Sequence, residues 1–292
     1  MRRWRTRVAA RALRLLSSLF GRLSWRGAQR LGAGLGWALW WLALRDRRRT
    51  LTHLAIAFAD LAPRQRAALG RRCFRHHGES LGEALHLLHR GCGSLLGHVR
   101  IEGLEELERA RRAGRPVLLV SAHCGNWELL HAAVNASGIE MPVVVRRLDD
   151  PGLDELLAGL RARLGTETIA RGAPQAGRAL LRSLRRGVVG VMIDQDTRVE
   201  GLWVPFFGRP AYTPLGPAQL ARRVDAAVVV AFIERLADGS HLLRLQSPLP
   251  AAGDPEELTG RLTRAVEEQV RRVPEQWVWM HRRWRRQPPE AS

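Results

Sequence analysis

Four short, continuous runs of apolar residues constrain the fold of this chain more than any other feature of its sequence. They lie at 116–121, 141–145, 187–193 and 226–233. Runs of this length, rich in valine and isoleucine, are typical of strands buried on both faces of a sheet. Stretches with helical periodicity separate them, at 128–136, 153–164, 174–186 and 216–223. This alternation predicts an α/β fold with a mostly parallel, mixed sheet flanked by helices.

The segments on either side extend this pattern. Residues 99–103 are predicted to form a strand and 104–113 a charged surface helix, while 242–245 add an edge strand and 255–273 a final helix. Residues 50–97 have helical periodicity, with His76 and His77 expected on a solvated face. The predicted organisation is an amino-terminal segment (1–45) and one domain (46–292), in which a helical cap (46–98) precedes an α/β catalytic core (99–286).

Positive charge is concentrated at the amino-terminal end. The formal net charge is +19, and residues 1–50 contain thirteen arginines and one acidic residue, Asp46. Between these arginines lie fourteen uncharged residues, 31–44, which include three tryptophans. This stretch is shorter than the roughly twenty residues that span a bilayer, and it suits a helix lying on an anionic membrane surface. A core helix with a solvated basic face is the alternative. Nucleic-acid binding is disfavoured, because leucine, alanine and glycine occupy the positions between the arginines.

The remaining chemistry-bearing residues exclude several classes of site. The three cysteines, Cys73, Cys92 and Cys124, are odd in number and scattered, which argues against a disulfide framework. The sequence contains no His-Glu-x-x-His motif, no Cys-x-x-Cys pair and no glycine-rich phosphate loop. We therefore predict neither a metal site nor a bound cofactor.

One segment carries the pattern of a catalytic loop. Residues 121–128 follow a predicted buried strand directly and precede a helix, which places them where open α/β sheets bind ligands. His123 is suited to removing a proton from a hydroxyl, and Glu128 in the first helical turn is expected to hold its imidazole. Gly125 permits close backbone approach and Asn126 is a candidate N-cap. The alternative is that Asn126 and Glu128 only cap the helix.

These residues form part of a longer series of motifs. His123-Cys-Gly-Asn-Trp-Glu128 is followed by Arg146, Arg161-x-Arg163 and Asp194-Gln-Asp196, and then by further motifs at 204–208, 211–218 and 274–284. In this order they resemble the lysophospholipid acyltransferase superfamily, most closely its lipid A biosynthesis lauroyl/myristoyl acyltransferase branch. The resemblance runs from about residue 45 to 284 and implies a fold like that of the glycerolipid acyltransferases.

The resemblance also implies a reaction and roles for the site residues. A fatty acyl chain would pass from acyl carrier protein, or acyl-CoA, to a hydroxyl of a membrane glycolipid such as a lipid A precursor. His123 would be the general base and Glu128 its acidic partner. The implied substrate-binding residues are Gly125, Asn126, Arg146, Arg161, Asp194 and Asp196, of which Arg161 would contact a phosphate or the thioester carbonyl.

The implied location is the cytoplasmic face of a bacterial inner membrane, whose anionic surface would be a partner together with acyl carrier protein. Two other interpretations stay open at this point. One is an acyltransferase for another acceptor, such as a phosphatidylinositol mannoside or a lysophospholipid. The other is a basic membrane-binding protein without catalytic activity.

Overall fold

The structure is a computed structural model that describes residues 15–91, 93, 95–148, 150–249 and 253–288. Residues 1–14 of the predicted amino-terminal segment and Cys92 lie outside the described residues. The described α-helices are α1 (15–22), α2 (Trp25–Leu42), α3 (Leu44–Ala57), α4 (Pro63–Arg90), α5 (Leu104–Arg112), α6 (Trp127–Ala136), α7 (Pro151–Arg163), α8 (Ala176–Arg186), α9 (Gly216–Arg223) and α10 (Pro255–Arg272). The strands are β1 (Val99–Glu102), β2 (Val117–Ser121), β3 (Val143–Val145), β4 (Thr168–Ala170), β5 (Val188–Met192), β6 (Gly201–Phe206), β7 (Arg209–Pro214), β8 (Ala227–Arg235) and β9 (His241–Leu245).

The described strands form a seven-stranded sheet and a separate hairpin. The sheet has the order β1-β9-β8-β2-β5-β3-β4, in which β8 and β9 pair antiparallel and the other neighbours pair parallel. Strands β6 and β7 form the antiparallel hairpin. The predicted α/β fold with a mostly parallel, mixed sheet is confirmed.

Helices cover both faces of the sheet, which explains the continuous apolar runs. Along β2, Leu118 and Val120 belong to one hydrophobic core, whereas Val117 and Leu119 belong to a second core on the opposite face. All five residues of this strand are buried. Because successive side chains of a strand point to opposite faces, a strand with two cores must be apolar at every position.

Several elements differ from the sequence prediction. Strand β9 is not an edge strand, because β1 pairs with it on one side and β8 on the other. The helical cap contains most of α3 and the 28-residue helix α4. His76 on that helix is buried rather than solvated, and its ring contacts the Arg235 guanidinium. Strand β4 and the β6–β7 hairpin were not predicted, since β4 has only three residues and the hairpin contains three prolines.

Helix α2 packs closely along α4 through glycines. A Cβ atom on Gly32 would contact the carbonyl oxygen of Gly78, and one on Gly36 would contact that of Phe74. The two helices therefore approach at backbone distance, and Trp40 of α2 packs against Phe74 of α4, while several other large side chains of α2 lie on its outer face. Leu31, Leu35, Trp37, Leu39, Trp41 and Leu42 are exposed there. Among the described helices, none combines the length and apolar character needed to cross a membrane.

Candidate active site

The loop 122–126 joins β2 to α6 at the carboxyl ends of the parallel strands. Gly125 has a φ angle of +71°, and a Cβ atom at this position would contact the carbonyl oxygen of Ile233 in β8. Its amide donates to the carbonyl of Gln276 at 2.9 Å. The amide of Val278 donates in turn to the carbonyl of His123 at 3.2 Å. The carboxy-terminal segment 274–284 thus holds the loop 122–126 against the sheet.

Asp194 holds the imidazole of His123. It follows β5, the neighbour of β2, and its Oδ1 atom lies 2.8 Å from His123 Nδ1. The other carboxylate oxygen, Oδ2, accepts hydrogen bonds from the backbone amide of His123 at 2.9 Å and from the Trp277 indole at 2.8 Å. An ionised carboxylate only accepts, so Nδ1 carries the shared hydrogen, and Nε2 of the neutral ring has a free lone pair.

The Asp194 carboxylate is charged although its side chain is fully buried. Burial alone would raise the pKa of this carboxyl. The neighbouring His123 and the hydrogen bonds from His123 and Trp277 outweigh burial and lower the pKa to about 2. A buried anion at this position orients the ring, and it would stabilise an imidazolium if Nε2 accepted a proton.

Glu128 does not contact the imidazole as the sequence analysis expected. Its carboxylate accepts two hydrogen bonds from Arg161 on α7, at 3.0 Å from Nε and 2.6 Å from Nη2. This two-point geometry is the strong form of an arginine–carboxylate pair, and the side chains are only 10% and 16% exposed. Glu128 and Arg161 therefore brace α6 against α7, and the contact with His123 belongs to Asp194.

Asn126 occupies the N-cap position of α6, but its side chain makes no capping hydrogen bond. Its Nδ2 atom donates instead to Glu83 on α4 at 2.7 Å. The fully buried Glu83 carboxylate also accepts hydrogen bonds from Gln29, Arg235 and His241. The loop 122–126 is consequently linked, through one carboxylate, to helices α2 and α4 and to the sheet.

A groove of about 660 Å³ opens beside His123. Its wall is mostly apolar and comes from α4, α6, α7 and strands β3 and β5. The apolar lining includes Leu81, Ala84, Trp127, Val143, Val144, Val145, Leu148, Leu157, Leu160, Val191 and Met192. The Trp127 ring also packs edge-on to the imidazole of His123, with centroids 5.0 Å apart. An extended apolar group bound here would end beside the proton-accepting nitrogen.

Three further histidines line this groove. Burial is the largest cause that lowers the pKa of His77, His131 and His281, each to about 4. They are therefore uncharged near neutral pH. His77 was predicted on a solvated face, and its position in the groove, like that of His281, depends on the packing of segments distant in sequence from His123. His131 lies on α6, the helix that follows the loop of His123, and was not predicted as a site residue.

The remaining predicted residues lie in different surroundings. Arg146 follows β3 and lines the mouth of the groove. Asp196 is buried, pairs with Arg285 at 3.0 Å and with Arg286 at 3.3 Å, and lines an adjoining depression. Cys124 is buried, and desolvation, followed by the nearby Asp194 charge, raises the pKa of its thiol well above the usual range. Such a thiol is not a nucleophile at neutral pH.

Asp194 was predicted as a substrate-binding residue, whereas Trp277 was not predicted as a site residue. Asp194 comes directly after the buried run 187–193. Its position at a strand's carboxyl end was the signal that could have paired it with His123. No comparable signal marks Trp277, which reaches Asp194 from the carboxy-terminal segment 83 residues away.

Residues 12–286 match the family described as bacterial lipid A biosynthesis acyltransferase. The lipid A biosynthesis lauroyltransferase of Escherichia coli (strain K12) is 27% identical over 271 residues, which cover 89% of this chain and 85% of that protein. A lipid A biosynthesis acyltransferase of Haemophilus influenzae is 24% identical over 90% of this chain and 85% of its own length. A phosphatidylinositol mannoside acyltransferase of Mycobacterium tuberculosis is 32% identical over 144 residues, 48% of this chain and 45% of that protein.

Proposed function

The chain belongs to the bacterial lipid A biosynthesis acyltransferase family, and from this premise we propose that it transfers a fatty acyl chain from a thioester to a hydroxyl of a membrane glycolipid. His123 is the general base of the proposed reaction. The single observation that carries this proposal is the contact between His123 and the buried Asp194 at the end of an apolar groove.

The proposed step is a direct transfer without a covalent enzyme intermediate. His123 Nε2 removes the proton of the acceptor hydroxyl, while the hydroxyl oxygen forms a bond to the carbonyl carbon of the thioester. Collapse of the tetrahedral intermediate breaks the carbon–sulfur bond, and the imidazolium returns the proton to the departing thiolate. Asp194 stabilises the imidazolium between these two proton transfers.

The size and the apolar wall of the groove support the proposal that the donor carries a long acyl chain. Its volume of about 660 Å³ lies within the range of sites that enclose small ligands, and its apolar walls would remove a hydrocarbon chain from water. We propose that the donor is an acyl group on acyl carrier protein. The net charge of +19 supports this proposal if the carrier is acidic, because attraction between opposite charges speeds the association of two proteins.

The exposed face of α2 supports attachment to a membrane surface. Trp37, Trp41 and Leu42 are 53%, 48% and 77% exposed on this face. Exposed arginines, including Arg26, Arg30 and Arg45, flank it. Apolar side chains beside arginines are the pattern of a helix that lies in the headgroup region of an anionic bilayer. We propose that the chain binds the cytoplasmic face of the inner membrane in this way.

The proposed acceptor is a lipid A precursor. The two relatives that cover about nine tenths of the chain are named for lipid A biosynthesis, and this coverage favours that acceptor. A phosphatidylinositol mannoside is the second candidate, because the relative named for that acceptor reaches 32% identity over 144 residues.

The test is acyl transfer by the full-length protein purified in detergent. Acyl carrier protein and coenzyme A would carry the same labelled chain, and the acceptors would be a lipid A precursor, a phosphatidylinositol mannoside and a lysophospholipid. Wild type would be compared with His123→Ala and with His89→Ala, a matched change at an exposed histidine.

We expect transfer to one acceptor, a loss of about 10²–10⁴-fold in His123→Ala, and normal rates in His89→Ala. Retention of more than about a hundredth of the activity in His123→Ala would overturn the assignment of the base. A folded wild-type protein that transfers to none of the acceptors would overturn the proposed reaction.

A further inference from the structure

A second groove, of about 940 Å³, lies between α2, α4 and the turn that joins β8 to β9. Six residues of α2 line it at helical spacing: Arg26, Gln29, Arg30, Ala33, Gly34 and Trp37. On α4 the lining residues are Arg72, Arg75, His76 and Glu79. Among the described residues, none lines both this groove and the groove beside His123. The second groove is therefore a separate feature of the surface.

Gly34 leaves the floor of the second groove open. It lies in the middle of α2, where a glycine lowers helix stability relative to alanine. The close packing of α2 on α4 requires Gly32 and Gly36, but a Cβ atom on Gly34 would have no neighbour within 4 Å beyond the local backbone of α2. Packing within the part of the chain that the structure describes therefore does not account for this glycine. A molecule seated in the groove would use the space that it leaves.

The rim of the second groove is positively charged. The described charged residues that line it are Arg26, Arg30, Arg72, Arg75 and Arg235 with Glu79, Asp238 and Glu275. The mostly buried Arg235 pairs with Glu79 and with Glu83. The other four arginines are exposed and stand on both helices that form the walls. An anion in the groove would meet positive charge from two sides.

The second groove is continuous with the outward face of α2. Trp37 lines the groove and is 53% exposed. Its ring packs edge-on to that of Trp41 on the outward face, with centroids 6.4 Å apart. Ala33 and Gly34 lie one turn earlier on the same stripe of α2. The groove therefore combines a positive rim with an apolar exit toward the face that we propose to lie on the bilayer, and this combination fits an amphiphile with an anionic headgroup.

We propose that this groove binds the headgroup of one anionic phospholipid of the membrane. Arg30, Arg72 and Arg75 surround the phosphate, because guanidinium groups bind phosphate through two parallel hydrogen bonds. The acyl chains pass Trp37 into the bilayer, and tryptophan favours this interfacial level. Clustered basic residues beside a membrane-bound helix are a pattern of anionic lipid recognition. The proposal rests on the proposed membrane attachment through α2 and names the lipid that the attachment recognises.

Filling the groove distinguishes a headgroup site from attachment through apolar surface alone. Gly34→Leu would occupy the open space and would add apolar surface to α2. The matched control is Gly159→Leu, at an exposed glycine of α7 whose Cβ atom would also have no neighbour within 4 Å beyond the local backbone. Sedimentation of the full-length protein would measure its affinity for vesicles of phosphatidylcholine with and without phosphatidylglycerol.

We expect wild type and Gly159→Leu to bind vesicles that contain phosphatidylglycerol at least about tenfold more tightly than vesicles of phosphatidylcholine alone. Gly34→Leu should lower this ratio at least about fivefold, without a lower unfolding temperature and without weaker binding to phosphatidylcholine alone. Attachment through apolar surface alone predicts the opposite, since an added leucine would then leave binding equal or stronger. A Gly34→Leu protein with the wild-type ratio would overturn the headgroup site.

The arginines are tested against an equal loss of charge elsewhere. Arg72→Gln/Arg75→Gln would be compared with Arg182→Gln/Arg185→Gln, which removes two exposed arginines at the same spacing from α8. We expect the first pair to lower the preference for phosphatidylglycerol at least about fivefold more than the second. Equal effects would mean that the vesicles respond only to net charge and would overturn the headgroup site.

A measurement without a bilayer separates the groove from the proposed attachment. Phenylglyoxal modifies accessible arginines, and mass spectrometry of peptides locates each modified residue. Dihexanoylphosphatidylglycerol, added to the full-length protein in detergent, should slow modification of Arg72 and Arg75 at least about fivefold more than that of Arg182, whereas dihexanoylphosphatidylcholine should not. Equal protection of all three would overturn the headgroup site even if vesicles are bound. Selective protection in a protein that binds no vesicle would overturn only the proposed membrane attachment.

Discussion

Asp194 Oδ1 lies 2.8 Å from His123 Nδ1, although the two residues are 71 positions apart in the sequence. The same carboxylate accepts a hydrogen bond from the backbone amide of His123 through Oδ2. Asp194 therefore fixes both the ring and the loop that carries it. The chemistry of the candidate site depends on the pairing of β2 with β5, because that pairing brings the two strand ends together.

Replacement of Asp194 should impair catalysis more than binding. In Asp194→Asn the amide cannot stabilise an imidazolium, and it can donate to Nδ1, which would move the ring hydrogen to Nε2. We expect kcat to fall by about 10²–10⁴-fold with little change in KM. Steady-state transfer kinetics with circular dichroism as the folding control would measure this. A folded variant with a kcat within about threefold of wild type would contradict the role of Asp194.

Trp277→Phe provides a milder change at the same carboxylate. It removes the indole donor to Asp194 Oδ2 but keeps an aromatic ring in the core. We expect a smaller fall in kcat than for Asp194→Asn, because the contact between Asp194 and His123 Nδ1 remains. A larger fall would indicate that the carboxy-terminal segment does more than orient the carboxylate.

The pair between Glu128 and Arg161 should behave as one structural unit. Glu128→Ala leaves the Arg161 guanidinium, which is 16% exposed, without its carboxylate. Loss of one partner of such a buried pair costs about 3–5 kcal/mol of unfolding free energy. The double variant Glu128→Ala/Arg161→Ala should lose less than the sum of the two single variants, Glu128→Ala and Arg161→Ala, as measured by urea denaturation in a double-mutant cycle. Additive losses would show that the two side chains do not stabilise each other.

Glu83 should be essential to the attachment of the catalytic loop. Glu83→Ala removes the acceptor for Asn126 and leaves Arg235, which is 8% exposed, buried beside an empty site. We expect a loss of about 3–5 kcal/mol in unfolding free energy. Glu79→Ala is the matched control, because Glu79 pairs with the same Arg235 at 2.9 Å but is 24% exposed. A loss in Glu83→Ala no larger than that in Glu79→Ala would contradict this role.

The buried Asp194 carboxylate should also shape the acid stability of the fold. Its pKa is about 2 in the folded protein, below the ordinary value of 3.8, so the unfolded chain binds more protons between these two values. The contribution of Asp194 to the free energy of unfolding is therefore fully present above pH ~4 and is lost as the pH falls through ~2. Asp194→Asn should remove about 2 kcal/mol of this pH-dependent term. Urea denaturation at a series of acidic pH values would test this prediction. It would be contradicted if the free energy of unfolding of the variant depended on pH as steeply as that of wild type.

The sequence predicted the sheet and helices well where a local pattern specifies them. The apolar run 116–121 forms β2, and Gly125 occupies a position with a positive φ angle. The partner of His123 was misassigned, because Glu128 is near in sequence whereas Asp194 is near only after β2 and β5 pair. His76 was misplaced for a similar reason, since its burial depends on Arg235 from β8. Local periodicity carries no information about such long-range contacts.

The outward face of α2 should determine membrane binding. Its closest packing against α4 uses Gly32 and Gly36, so changes at Trp37, Trp41 and Leu42 leave that contact intact. Replacement of these three side chains by serine removes apolar area that would otherwise enter the bilayer. We expect binding to vesicles that contain anionic lipid to weaken by at least about tenfold, as measured by sedimentation.

A matched control separates this face from general surface hydrophobicity. The control replaces Leu96, Leu153 and Val199 by serine; these side chains are exposed by 47%, 45% and 36% and belong to other segments of the chain. Both triple variants should unfold at temperatures close to that of wild type, while only the α2 variant leaves the vesicle pellet. Equal binding of the two variants would contradict attachment through α2, because the same number of exposed apolar side chains would then have the same effect wherever they lie.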